Sequence, residues 1–101
     1  MNRNDIKTAS APVLKKHGVI RAALFGSVAR NEQTNGSDVD FVVEFEDGRS
    51  LFDLGGLKID LEELLHTSVD VVTYDSLHPL LKGSIISEQD VIYEASAPAL
   101  H

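Results

Sequence analysis

The sequence predicts an α/β (α+β) fold: a single small domain with a mixed sheet of about four strands and helices packed on it. Three observations carry this. Four apolar runs, at 19–25, 38–45, 69–74 and 90–94, have strand length. The stretches 4–17 and 50–65 place apolar residues at helical spacing instead, and 75–87 reads as a third helix. The two kinds of segment alternate, which is the order of a layered domain. At 101 residues the chain is one domain, 1–101, large enough to bury a core without disulfides.

Residues 4–17 carry Ile6, Ala9, Val13 and Leu14 on one helical stripe. Asn4 or Asp5 can cap the start, and Gly18 stops it. Pro12 predicts a kink or a break near Ser10. Val19 to Phe25 reads as a buried strand ended by Gly26. Ser27 to about Glu32 reads as a short helix with Ser27 at its N-cap. Residues 31–37 form a polar loop with a turn at Asn35-Gly36.

From Asp38 to Phe45 the pattern alternates. Val39, Phe41, Val43 and Phe45 share one face; Asp38, Asp40, Val42 and Glu44 share the other. Glu46 to Arg49 is a loop. Ser50 and Asp53 form a capping box with a short carboxylate. The helix behind them turns Leu54, Leu57, Leu61, Leu64 and Leu65 inward, and Gly55-Gly56 signals a bend or a close backbone approach. Val69 to Tyr74 is a third strand, with Asp70, Val72 and Tyr74 on one face. Asp75 or Ser76 caps a helix that has Pro79 in its first turn. Leu77, Leu80, Leu81, Ile85 and Ile86 on it cover the sheet or, less in keeping with such a segment, face a partner. Asp90 to Glu94 is a short last strand, and 95–101 is a loose tail.

The composition narrows the function. Sixteen acidic against nine basic residues give a formal charge of −7, a poor footprint for a general nucleic-acid binder. A nucleotide ligand stays compatible, because a bound divalent cation inverts the local field. Cysteine is absent, which removes thiolate nucleophiles and Cys-based zinc sites. No signal peptide and no membrane-spanning run stand out, so a cytoplasmic protein without membrane partners is expected. His17, His66, His78 and His101 lack metal-ligand spacing and read as surface or loop residues.

The chemistry gathers between Leu24 and Phe45. Carboxylates at i and i+2 on one strand face lie ~6.5–7 Å apart, an unfavourable proximity unless a proton or a cation intervenes. Asp70, on another strand and the equivalent face, can complete a three-carboxylate cluster. Such hard oxygens suit Mg²⁺, which takes the rest of its shell from water and phosphates. Gly26, between a strand and a helix start, lets the backbone approach a ligand. The helix N-terminus suits phosphate, with the Ser27 hydroxyl and Arg30 beside it.

Gly26-Ser27-x-Ala29-Arg30, followed by Ser37-Asp38-x-Asp40 and the later acid Asp70, resembles the signature of the DNA polymerase β-like nucleotidyltransferases. From about 13 to 94 the chain is similar to minimal nucleotidyltransferases of the MNT type, the small partners in HEPN–MNT toxin–antitoxin pairs. The resemblance implies a nucleotidyltransferase fold and a two-metal transfer of AMP from ATP. Asp38, Asp40 and Asp70 would be the metal-holding catalytic acids, Asp70 also assisting deprotonation of the acceptor hydroxyl. Gly26, Ser27, Arg30 and Ser37 would bind the nucleoside triphosphate, with two Mg²⁺ ions as cofactors. The acceptor would be a tyrosine of a cognate HEPN toxin. The chain has no residues to spare for an acceptor domain, so that site would be shared with a partner chain or formed in a homo-oligomer. Two other functions fit the same residues: a toxin-neutralising binding module without catalysis, and a small-molecule nucleotidyltransferase working as an oligomer. Tyr74 either packs in the core or lines the nucleotide pocket.

Overall fold

The computed structural model describes residues 3–26 and 39–95. The sequence-predicted short helix at 27–32 and the loop at 31–37 lie outside them. The elements run α1 (Arg3–Lys16), β1 (Val19–Phe25), β2 (Val39–Phe45), α2 (Leu51–Leu65), β3 (Val69–Thr73), a 3-10 turn (Tyr74–Ser76), α3 (Pro79–Glu88) and β4 (Asp90–Glu94). The sheet has the order β3-β2-β1-β4. β1 is antiparallel to both β2 and β4, while β2 and β3 are parallel. The mixed four-stranded sheet expected from the sequence is therefore present.

One face of the sheet holds the core. Ile6 and Leu14 of α1 and Leu57, Leu61 and Leu65 of α2 close over Leu24, Phe41, Val43 and Val69. Leu54 and Leu64 pack at its margin. The stripe read from α2 is thus the stripe that is buried. Burying a leucine side chain of this kind contributes ~2–3 kcal/mol, which outweighs the weak intrinsic propensity of a helix containing two glycines. Arg3 at the start of α1 forms an ion pair with Asp90 of β4, tying the first helix to the last strand.

Pro12 lies inside α1 without breaking it. Proline removes the N–H that would bond the carbonyl four residues back. That carbonyl belongs to Thr8, and both residues are exposed, so water can replace the bond. Asn4 and Asp5 lie within the first turn of α1 rather than ahead of it. The capping box of α2 forms as the sequence implies: Phe52 N–H donates to Ser50 Oγ at 3.2 Å and Ser50 N–H to Asp53 Oδ2 at 2.9 Å. At α3 the expectation fails. Asp75 and Ser76 belong to the 3-10 turn, and the helix is capped by His78, whose Nδ1 accepts from Leu80 N–H at 3.1 Å. An imidazole nitrogen replaces the usual cap oxygen, and Pro79 takes the first helical position.

No residue of α3 is buried. Leu80 is 85% exposed, Leu81 57% and Ile86 44%, so these three do not cover the sheet as expected, while Leu77 and Ile85 are half-buried. Because β3 and β4 run parallel at opposite edges, the usual right-handed crossover takes α3 past the face that α2 leaves free. Among the described residues, no helix is long and apolar enough to cross a membrane.

Candidate active site

Strand pairing brings the site together on the face opposite α1 and α2. Asp40 is the second residue of β2 and Asp70 the second of β3. The parallel register pairs them directly, Asp40 with Asp70. Paired residues on neighbouring strands share a face and sit ~4.8 Å apart at the backbone. Two carboxylates from different parts of the sequence are thus side by side. Both strand starts are pinned. Val39 N–H donates to Ser68 C=O at 3.1 Å, and Val69 N–H donates to Glu62 Oε2 at 3.0 Å. The second bond runs from β3 to the side chain of α2, and sequence reasoning had no signal for it.

Gly26 closes the site from the β1 side. Phe25 pairs with Asp40 across the antiparallel ladder, so the residue after it arrives at the carboxylate. Gly26 has φ +72°, and a Cβ there would lie 2.5 Å from Asp40 Oδ2. Only glycine combines that backbone with that approach. Asp40 is half-buried and Asp70 exposed. Of the sequence-predicted site residues, the structure therefore gathers Gly26, Asp40 and Asp70. Ser27, Arg30, Ser37 and Asp38 lie outside the described residues.

Two carboxylates at paired positions on one sheet face can share a cation. The donor set is all hard oxygen, which fits Mg²⁺ better than a softer metal. What the arrangement can do is hold a divalent cation with a phosphate beside a tight backbone turn.

Further along the same face stands a cluster the sequence did not announce. Arg21, paired with Glu44 on one side and Glu94 on the other, lies over the Tyr74 ring with its guanidinium carbon 5.7 Å from the centroid. The Tyr74 hydroxyl donates to Gln89 Oε1 at 2.6 Å. Burial raises the Tyr74 phenol above its ordinary pKa, with Arg21 opposing the shift and Glu44 and Glu94 adding to it. Tyr74 is half-buried and stands outside the core cluster. His17 also departs from the surface role read for it. Its side chain is 14% exposed, and its Nε2 is 2.6 Å from Asp60 Oδ2, joining the end of α1 to α2.

Residues 9–97 match the family model described as polymerase beta, nucleotidyltransferase. The chain is 58% identical over 88 residues to MJ0435 of Methanocaldococcus jannaschii, provisionally named a protein adenylyltransferase; the match covers 87% of this chain and 95% of that one. It is 37% identical over 90 residues to the protein adenylyltransferase MntA of Thermococcus cleftensis, covering 88% and 89%. A solved toxin–antitoxin structure with AMP-PNP shares the fold, with a TM-score of 0.77 at 21% identity over 89% of this chain and 74% of that one. The chain belongs to the polymerase β-type nucleotidyltransferase family, as an enzyme of its minimal, MntA-like branch.

Proposed function

We propose that this enzyme transfers AMP from ATP to a tyrosine hydroxyl of a cognate HEPN toxin and so acts as the antitoxin of the pair. The observation that carries the reading is the register pairing of Asp40 with Asp70 beside Gly26. The names of the relatives supply the reaction class, protein adenylyltransfer. The toxin–antitoxin assembly with AMP-PNP supports both the partner and an adenine nucleotide.

In this reading Asp38, Asp40 and Asp70 hold two Mg²⁺ ions. When bound, the ions neutralise the triphosphate and stabilise the attacking and leaving oxygens of an in-line displacement. The residues of the chain do the positioning. Gly26 admits the phosphate close to the backbone, and Ser27, Ser37 and Arg30 supply donors to its oxygens. Asp70, the exposed member of the pair, would accept the proton of the acceptor hydroxyl. The acceptor oxygen bonds to the α-phosphorus as the bond to pyrophosphate breaks, and pyrophosphate carries off the electron pair.

The test is incubation with ATP, Mg²⁺ and a candidate HEPN toxin, read by intact mass. A gain of one or more AMP units on the toxin supports the reading. No gain with any nucleoside triphosphate overturns it. Asp40→Asn and Asp70→Asn are each expected to lower the transfer rate at least ~100-fold, about 3 kcal/mol in the barrier. Neutralisation that survives both substitutions would favour a toxin-covering role without catalysis.

A further inference from the structure

Asp40 and Asp70 are not held equally. β2 lies between β1 and β3, so Asp40 is fixed by a ladder on each side. β3 ends the sheet, with β2 on one side of it. The peptide unit that opens β3 joins Ser68 to Val69. Its C=O accepts from Val39 N–H at 3.1 Å and so points into the sheet. In a planar trans peptide the N–H points the opposite way. The Val69 N–H is therefore aimed out of the sheet edge, in a residue that is 1% exposed. A donor sealed from water at such a place is costly unless it finds a partner.

Glu62 is that partner. Its Oε2 accepts from Val69 N–H at 3.0 Å. The same residue holds the other end of the connection. Glu62 C=O accepts from His66 N–H at 2.9 Å, where the chain leaves α2 with His66 in the left-handed region at φ 55°. Residues 66–68 then bridge helix and strand. Glu62 is half-buried and its neighbour Leu61 fully buried, so the anchor stands on a helix fixed by the core. Asp70 is the next residue after the anchored N–H.

We infer that Glu62 is a positioning residue: by holding Val69 N–H it fixes the start of β3 and keeps Asp70 opposite Asp40. The part it plays needs an acceptor oxygen at that reach rather than a negative charge. Its effect on transfer rests on the adenylyl-transfer reading above; its hold on β3 does not.

Three variants of the full chain test this. Glu62→Ala keeps a strong helix former in α2 and removes the acceptor. Glu62→Gln keeps an acceptor oxygen at the same reach. Glu63→Ala removes the exposed acid next to it. Native-state amide exchange reads the strand. The Val69 and Asp70 amides are expected to exchange at least ~10-fold faster in Glu62→Ala, relative to those of β1, and at parent rates in the other two. Adenylyl transfer to a candidate HEPN toxin, followed across a Mg²⁺ series, reads the site. Glu62→Ala is expected to be roughly 10-fold slower and to need more Mg²⁺ for half its maximal rate, as when a residue supporting a metal ligand is lost. Glu62→Gln and Glu63→Ala should stay close to the parent. Should Glu62→Ala not fold, Glu62→Asp, one methylene too short, makes the same comparison. Unchanged Val69 and Asp70 amides overturn the inference. So does a Glu62→Gln as slow as Glu62→Ala, which would make the charge and not the bond the working part. A parent that transfers no AMP sinks the reaction reading alone, since faster exchange confined to Glu62→Ala would still uphold the anchor.

Discussion

Gly26 and Asp40 show how little freedom single positions have here. The glycine has a positive φ and the carboxylate lies where its side chain would be. Gly26→Ala therefore imposes both a left-handed backbone cost of ~1–2 kcal/mol and a displaced Asp40. The expected outcome is a lower urea midpoint together with loss of adenylyl transfer greater than the stability change explains. A second residue-scale prediction concerns acid. Asp60 has a lowered pKa, chiefly through its hydrogen bond with His17, with Lys16 adding to it. A carboxyl whose folded pKa is depressed stabilises the native state fully above its unfolded pKa, ~3.9. That contribution is lost as pH falls through the lower, folded value. Asp60→Asn should be less stable than the parent at neutral pH and should lose less stability on acidification below about pH 4, as urea midpoints across pH would show. The candidate site residues Gly26, Asp40 and Asp70 were legible because their types are restrictive: a glycine that closes a strand, and acids at strand starts turned away from an apolar row. Arg21 over Tyr74 was not legible, because its neighbours come from two other strands and the 3-10 turn, whose order in space no local pattern specifies.

At the scale of elements, the segments that local rules specify came out as read. β1 and α2 are set by run length, periodicity and a capping box, all of which act within a few residues. The start of α3 was misread because Thr73 diverts Ser76 into a 3-10 turn, with Thr73 Oγ1 accepting its N–H at 3.2 Å, and His78 then caps the helix. Histidine is too ambivalent a cap to be seen in advance. Gly55 and Gly56 look alike in sequence yet separate in space. Gly55 faces open solvent, while a Cβ on Gly56 would stand 3.1 Å from His17 Cε1. Gly55→Ala should therefore gain about 0.5–1 kcal/mol from helix propensity. In Gly56→Ala the same gain is offset by pushing His17 from its place against Asp60. Chemical denaturation of the two variants side by side checks this, and equal stabilisation of both would show that His17 yields freely.

At the scale of the whole molecule, the sheet has one face sealed by α1 and α2 and one face given to function. The pairing of Asp40 with Asp70 requires β3 to lie parallel beside β2, and the α2 crossover supplies that connection. The price of the arrangement is α3, which must travel from one edge of the sheet to the other past the functional face. A helix there cannot bury itself deeply without obstructing that face, and none of its residues is buried. Regional stability should follow burial. Leu61 is fully buried, so Leu61→Ala is expected to cost ~2–5 kcal/mol. Leu80 and Leu81 are largely exposed, so alanine at either should cost less than ~0.5 kcal/mol. By the same reasoning the α3 amides should exchange with solvent through local opening, well before those of β1 and β2, which open only with the whole domain. Native-state hydrogen exchange measures this element by element. If α3 amides were protected as strongly as those of β1, the helix would be held by contacts that its exposed side chains do not make. The account of why α3 stays unburied would then be wrong.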